Sequence, residues 1–319
     1  MSTEAAEVVT IGESMGLFFA PDGRVVESRP HFEVSFGGAE SNVAIGLARL
    51  GRRVEWIGRL GDDELGHFIA RELRGEHVTV ADRFGGGPTG IMVRTRRGHG
   101  RAFVQYARTG SAGSTLAPAD LDLEAIRNAR LLHVSGITAA LGEAPRAAVE
   151  LAVRTARAAG VLVSFDVNHR QALWQRDDAR TALAGLIAGS DIVFATDAEA
   201  RLVLGVSDPT RTDEDLAHGL AAMGVSEVVV KRGSEGSLSL VGGSRYDQHL
   251  LPAAERDAVG AGDAFAAGYI DALLSGHDPQ QRLDFAGTVA AHAVTVIGDW
   301  EGLPRAGDLA HHSQADILR

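Results

Sequence analysis

The chain has 319 residues, 31 Lys and Arg against 42 Asp and Glu, a formal net charge of −11, and no cysteine. The lack of cysteine excludes disulfides, thiolate zinc sites, iron–sulfur clusters and cysteine nucleophiles. The acidic balance disfavours nonspecific nucleic-acid binding, which needs a basic surface to displace counterions, although a few local arginines can still reverse the field in a cleft.

With 45% hydrophobic and 23% charged residues the composition is globular rather than disordered. The length suits two conventional domains or one large α/β domain with an excursion. Met1 to Glu7 carries acids where an export signal needs a basic start. The apolar stretch Val289–Ile297 is interrupted by His292 and falls far short of the roughly 18 residues a membrane span requires. No membrane contact and a cytoplasmic, reducing location are the expectation.

From the N-terminus, β-branched runs alternate with amphipathic ones. Val8–Ile11 and Val54–Gly58 read as strands around a helix over Ala39–Leu50. Leu131–Val134, Val161–Asp166, Asp191–Phe194 and Val228–Val230 read as further strands. The helices between and beside them span Pro145–Ala159, Asp178–Ala188, Glu199–Leu204 and Thr212–Met223. Strands separated by such helices form βαβ units on a parallel, doubly wound sheet, and a continuous run such as Val228–Val230 suits a strand covered on both faces.

Arg24–Phe36 and Phe84–Arg108 break this rhythm. Both alternate and are punctuated by glycine, so they read as antiparallel strands, the second turning at Arg97-Gly98-His99-Gly100. With strands from about 15–36 and 84–108 they predict a small β lid on a single domain spanning 1–319. The tail after Gly302 is weakly patterned, and His311-His312 reads as a solvated helix face rather than a metal site.

Asp257-Ala258-Val259-Gly260-Ala261-Gly262-Asp263 precedes a helix from Ala264 to Leu274 that Gly276 stops. Two glycines at a helix N-terminus let several N–H groups converge where the helix dipole favours an anion, phosphate above all. Asp263 would repel that anion unless it accepts a proton from a hydroxyl attacking the phosphoryl group. The alternative is a tight loop in which Asp263 only caps the helix. A Rossmann fingerprint fits less well, since Phe265 stands at the third small position, and no Gly-Lys-Ser/Thr marks a P-loop.

Lys231-Arg232-Gly233-Ser234-Glu235-Gly236 follows a buried strand at the carboxyl end, where α/β sheets bind ligands; it reads either as a nucleotide loop or as a plain turn. Ser164-Phe165-Asp166-Val167-Asn168-His169-Arg170 leaves another strand with its polar residues clustered at the end, which suggests a site. Arg170 is otherwise a surface ion pair worth under about 1 kcal/mol.

Gly260-Ala261-Gly262-Asp263, together with Gly37-Gly38-Ala39-Glu40-Ser41-Asn42 and Ile57-Gly58-Arg59-Leu60-Gly61-Asp62-Asp63, resembles the two signatures of ribokinase-like (PfkB-type) sugar kinases. The resemblance covers nearly the whole chain in order. It implies a ribokinase-like α/β fold in which Asp263 is the catalytic base and Gly260, Ala261 and Gly262 form the anion hole. It implies ATP contacts from Lys231, Gly233 and Gly236. Thr196 stands where the family usually has asparagine but keeps a hydroxyl for phosphate, and Glu199 organises Mg²⁺ through its waters. It further implies a K⁺ site beside Asp257, where Ala258 replaces a common threonine.

The stretch Asp166-Val167-Asn168-His169-Arg170-Gln171-Ala172-Leu173-Trp174 and the segment Tyr106-Ala107-Arg108-Thr109-Gly110-Ser111-Ala112 are similar to those of 2-keto-3-deoxygluconate kinases within that family. The substrate there carries a carboxylate, which a guanidinium matches with paired hydrogen bonds. Arg108 and Arg170 are therefore the expected carboxylate ligands, with Tyr106 and Asn168 beside them and Gly37, Gly38 and Asn42 on the sugar hydroxyls. Met92 lies where those kinases have a tyrosine. The implied reaction is ATP-dependent phosphorylation of a keto-sugar acid at its primary hydroxyl, under a lid that also pairs two subunits. The rivals are a kinase for a neutral sugar such as fructose and a non-catalytic sugar- or nucleotide-binding regulator.

Overall fold

The structure, a computed structural model, describes residues 5–312 except 22–24, 30, 82, 98–100 and 175. Its strands in chain order are β1 (Val8–Ile11), β2 (Met15–Phe19), β3 (Glu33–Gly37), β4 (Val54–Ile57), β5 (Val78–Val80), β6 (Ile91–Arg97) and β7 (Arg101–Ala107). They continue with β8 (Leu131–Ser135), β9 (Leu162–Asp166), β10 (Ile192–Thr196), β11 (Glu227–Lys231), β12 (Ser237–Val241) and β13 (Ser244–Gln248).

Among the described residues, nine strands form one sheet in the order β13-β12-β11-β10-β9-β8-β1-β4-β5. From β11 to β5 every pairing is parallel. The parallel strands are buried because helices cover both faces: β1 is inaccessible along its whole length, and Val228, Val229 and Val230 are all at 0% exposure. Two apolar layers result, one under the helices Glu143–Ala158, Arg176–Ala188 and Asp213–Ala221, the other under Ala39–Arg49, Ala261–Leu274 and Pro279–Ala293. Each fully buried aliphatic side chain contributes about 1.5–3 kcal/mol to this core.

The helices begin where their caps dictate. Asp63 accepts from the Gly66 amide at 2.8 Å, and Thr196, Thr212 and Asp278 each close a reciprocal capping box. The helices read from the sequence agree with those observed to within a few residues at each end. The hairpin β12–β13 adds an antiparallel edge that the strand–helix alternation does not contain; it turns at Gly242-Gly243, both at positive φ (57° and 82°).

The lid is a four-stranded sheet in the order β3-β2-β6-β7. The expected antiparallel pattern holds for β2–β3 and β6–β7, but β2 and β6 run parallel, so the lid is mixed. The strand expected from Arg24 begins only at Glu33, after a short 3₁₀ turn at Val26–Ser28. Arg97 stands opposite Arg101 as a hairpin requires, while the expected turn itself falls on 98–100, outside the described residues. The side chains of His311 and His312 also lie outside them. Met15, Leu17, Phe19 and Met92 form the lid's own buried cluster. Among the described residues, no helix is long and apolar enough to cross a membrane.

Candidate active site

Gly260 ends the irregular segment after β13 and caps the helix Ala261–Leu274 in the left-handed conformation, φ 76°. A Cβ there would lie 2.1 Å from the Asp299 carbonyl oxygen, so only glycine fits on both counts. Asp263 follows in the first turn of that helix. The Asn42 amide, from the helix Ala39–Arg49, donates to Asp263 Oδ2 at 2.8 Å. β3 runs straight into this helix through Gly37-Gly38. At Gly38 a side chain would strike the Glu13 carbonyl at 2.2 Å, so the backbone can approach this closely only as glycine.

Burial pushes the Asp263 carboxyl up to about 7. The Asn42 hydrogen bond opposes the shift, the Asp166 charge adds to it, and Lys231 and Arg170 pull it back. A carboxylate tuned near neutrality can take a proton from an alcohol and release it again.

Asp263 opens onto a cavity of about 600 Å³ between the lid and the carboxyl ends of the strands. Gly37, Gly38, Asn42, Met92, Tyr106, Arg108 and Arg170 line it, so most of the expected sugar-side residues are brought together. Their states differ. Arg170 is exposed to the cavity, and among the described residues its guanidinium donates only to the His169 carbonyl, at 3.3 Å. Arg108 is engaged by the buried carboxylate of Glu13, with Nε 2.9 Å from Oε2 and Nη2 on the same oxygen, and its guanidinium lies over the Tyr106 ring. Asn168 is buried at the end of β9 at φ 41° and does not line the cavity.

A second cavity of about 410 Å³ lies on the other side of the glycine turn and is lined by Lys231, Gly233, Gly236, Ala261 and Gly262. Leu250, Leu251, Phe265, Ala290 and Val294 give it an apolar wall suited to a base. Gly260 and Asp263 thus face one cavity and Ala261 and Gly262 the other, which puts the helix N-terminus at the junction, where a phosphoryl group passing between two ligands would lie. Lys231 Nζ stands 2.7 Å from Asp166 Oδ2. Burial lowers the affinity of this amine for its proton, but the Asp166, Glu199 and Asp263 carboxylates outweigh that and hold it above its usual range.

Thr196 and Glu199 do not line the nucleotide cavity. Thr196 caps the helix Asp197–Leu204, and its amide and hydroxyl both donate to Glu199 Oε2, while Oε1 accepts from the His169 amide at 2.8 Å. Thr196 also sits opposite Lys231 in the strand register, so the Glu199 carboxylate stitches the ends of β9 and β10 together beside the lysine. Among the described residues no group of three His, Asp or Glu side chains could hold a metal directly. Mg²⁺ carried on nucleotide phosphates and its own waters needs no such cage. The buried Asp166 Oδ1, which has no hydrogen-bond partner among the described residues, is an acceptor that one of those waters would satisfy.

The K⁺ expectation meets an obstacle. Asp257 is buried beside the turn, and the Arg94 guanidinium from the lid lies 3.1 Å from its Oδ2. Reading the sequence also missed Glu13 and Asp299, both of which line the sugar cavity. Glu13 follows an apolar strand at its carboxyl end, the same signal that singled out Asp166. Asp299 gave no signal, because it falls in an unpatterned connection. Its carboxyl is also raised to about 7, by burial first and then by Glu301 and Asp257, against the pull of Arg94.

Residues 5–306 match the family described as pfkB family carbohydrate kinase. A 2-dehydro-3-deoxygluconokinase of Bacillus subtilis is 35% identical over 315 residues, covering 95% of this chain and 94% of its own. A 2-dehydro-3-deoxygalactonokinase of Haloferax volcanii is 34% identical over 297 residues, 92% of each chain. A putative ribokinase II of E. coli solved with ATP and Mg²⁺ superposes with a TM-score of 0.88 at 25% identity, over 97% of this chain and 99% of that one. With both signatures converging on one glycine turn between two cavities, the chain belongs to the pfkB family of carbohydrate kinases and is a sugar kinase.

Proposed function

We propose that the sugar is a 2-keto-3-deoxy sugar acid, phosphorylated by ATP at its primary hydroxyl to give the 6-phosphate. The observation that carries this is Arg170, a cation exposed in the sugar cavity whose guanidinium, among the described residues, hydrogen-bonds only to a backbone carbonyl. A neutral sugar offers such a group only uncharged hydroxyl and carbonyl oxygens, whereas a carboxylate takes two parallel, charge-assisted N–H···O bonds from it. The names of the two relatives, one of the gluconate and one of the galactonate series, support the same class.

In this reading the carboxylate is held by Arg170. Arg108, fixed by Glu13 and Tyr106, contributes charge from a set position rather than reorganising on binding. Gly37, Gly38 and Asn42 hold the hydroxyls, and the attacking hydroxyl loses its proton to Asp263. The amides at Gly260, Ala261 and Gly262 stabilise the charge on the transferring group, Lys231, Gly233 and Gly236 serve the nucleotide, Thr196 instead holds Glu199 in place, and Mg²⁺ would neutralise the phosphates. Glu199 positions this end of the strands for the ion's waters. The lid closes the cavity to water, which keeps ATP from being hydrolysed. The exposed lid side chains Val34 and Phe103 support the expected pairing of lids between two copies.

Replacing Arg170 with alanine tests the assignment. A hydrogen bond to a charged group contributes about 1.5–3 kcal/mol, so loss of even one of the two should lower kcat/KM for the sugar acid by about 10- to 150-fold, and loss of both by more, with the fold intact. An unchanged kcat/KM would remove Arg170 as the carboxylate ligand.

A further inference from the structure

The strand β6 sends one charged side chain inward beneath the lid. Arg94 is 5% exposed and reaches two carboxylates from different segments: Nη1 is 3.0 Å from Asp299 Oδ1, and Nη2 is 3.1 Å from Asp257 Oδ2. The first is a hydrogen bond; the second is an ion pair without good alignment. The Phe19 ring of β2 lies 5.4 Å beneath the guanidinium.

These two acids flank the anion hole. Asp257 stands three residues before Gly260, and its carboxylate accepts from the amides of Val259 and Gly298, both at 3.3 Å. Asp299 supplies the carbonyl against which Gly260 packs. The turn is therefore gripped from both sides by segments that share one guanidinium. Glu301 adds a third carboxylate, bonded to the Trp300 amide and the Ser35 hydroxyl. Buried acids this close to a transferring phosphoryl group need a compensating cation, because uncompensated charge in a dry site is costly and would repel the substrate phosphates.

We propose that Arg94 is that cation: a positioning residue, attached to the lid, that holds the anion-hole turn in place and makes this kinase independent of K⁺. A K⁺ ion at Asp257 would have to strip water and collect six or more oxygens while a guanidinium already occupies the carboxylate at 3.1 Å. The two cations would repel each other across one shared acid. The inference rests on the kinase class and not on the identity of the sugar, and one of its readouts needs no sugar at all.

The test compares wild type and Arg94→Ala in KCl, choline chloride and guanidinium chloride at equal, modest ionic strength, so that screening is the same in each. Wild-type turnover, measured on whichever sugar the enzyme phosphorylates, should agree within about twofold between K⁺ and choline, and its melting temperature should not respond to K⁺ specifically. Arg94→Ala should lose at least tenfold in kcat in choline with a smaller change in KM for ATP. K⁺ or guanidinium should restore much of that loss and raise the variant's melting temperature, and Arg94→Lys should keep most of the activity. Wild type activated tenfold or more by K⁺ over choline would overturn the proposal, even if the variant does not fold. So would an Arg94→Ala enzyme whose turnover is intact, or whose loss neither cation relieves.

Discussion

Replacing Asp263 with asparagine should cost turnover and yield a more stable protein above neutral pH. The side chain keeps its shape, and the Asn42 amide can still donate to the new amide oxygen as it does to Asp263 Oδ2. What disappears is the charge. In the folded protein the carboxyl is raised from 3.8 to about 7, so the native state binds this proton more tightly than the unfolded chain does. Wild-type stability therefore falls as pH rises between those two values, while the asparagine variant has no such loss.

A shift of about 3 units at 1.36 kcal/mol per unit sets the full effect at about 4 kcal/mol. Linkage places about 2–3 kcal/mol of it between pH 5 and pH 8. Urea denaturation of both proteins at those two pH values measures the double difference, in which every other titrating group cancels to first order. The variant should gain on wild type by about 2 kcal/mol or more from pH 5 to pH 8, while its kcat drops by about 10²–10⁴ for loss of the proton acceptor. A stability gap that is the same at both pH values would refute the claim that Asp263 is held against burial for a chemical purpose.

Two further results follow from the same charges. The raised Asp263 carboxyl predicts that kcat/KM climbs about tenfold per pH unit below pH 7 and levels off above it; a flat profile from about pH 5.5 to 8 would contradict this. Lys231→Met strands the buried Asp166 carboxylate, whose side chain is 3% exposed and 2.7 Å from the ammonium. It should destabilise by about 3–5 kcal/mol at neutral pH, and adding Asp166→Asn should recover most of that in thermal melts. No recovery would mean that the pair does not balance itself.

The parallel sheet is readable because strands covered on both faces must be apolar throughout, as Val228–Val230 are, and because helix starts carry their own caps, as Thr212 does with Asp215. The glycine turn with Asp263 is readable for a related reason: a positive φ and a close backbone approach leave glycine as the signature. Pairings made across the fold leave no such local trace. Arg94 meets Asp299 from 205 positions away, so a lid arginine in an alternating strand looks like any exposed cation until the chain is folded.

Glu13 and Arg108 show the same limit, since a sequence displays two charges but not that one occupies the other. The hairpin β12–β13 escapes for a different reason. Ser237-Leu238-Ser239-Leu240 alternates and ends in two glycines, but it follows the Gly233–Gly236 turn so closely that the polar run reads as one loop.

The measurement closest to the central claim is ATP- and Mg²⁺-dependent phosphorylation of 2-keto-3-deoxygluconate, its galactonate epimer, fructose and ribose, with Asp263→Asn as control. Selective turnover of one or both sugar acids, lost in the variant, is the predicted result. Preference for fructose or ribose, with the acids turned over poorly, would contradict it: the fold and the base would stand, but Arg170 would have no carboxylate to hold.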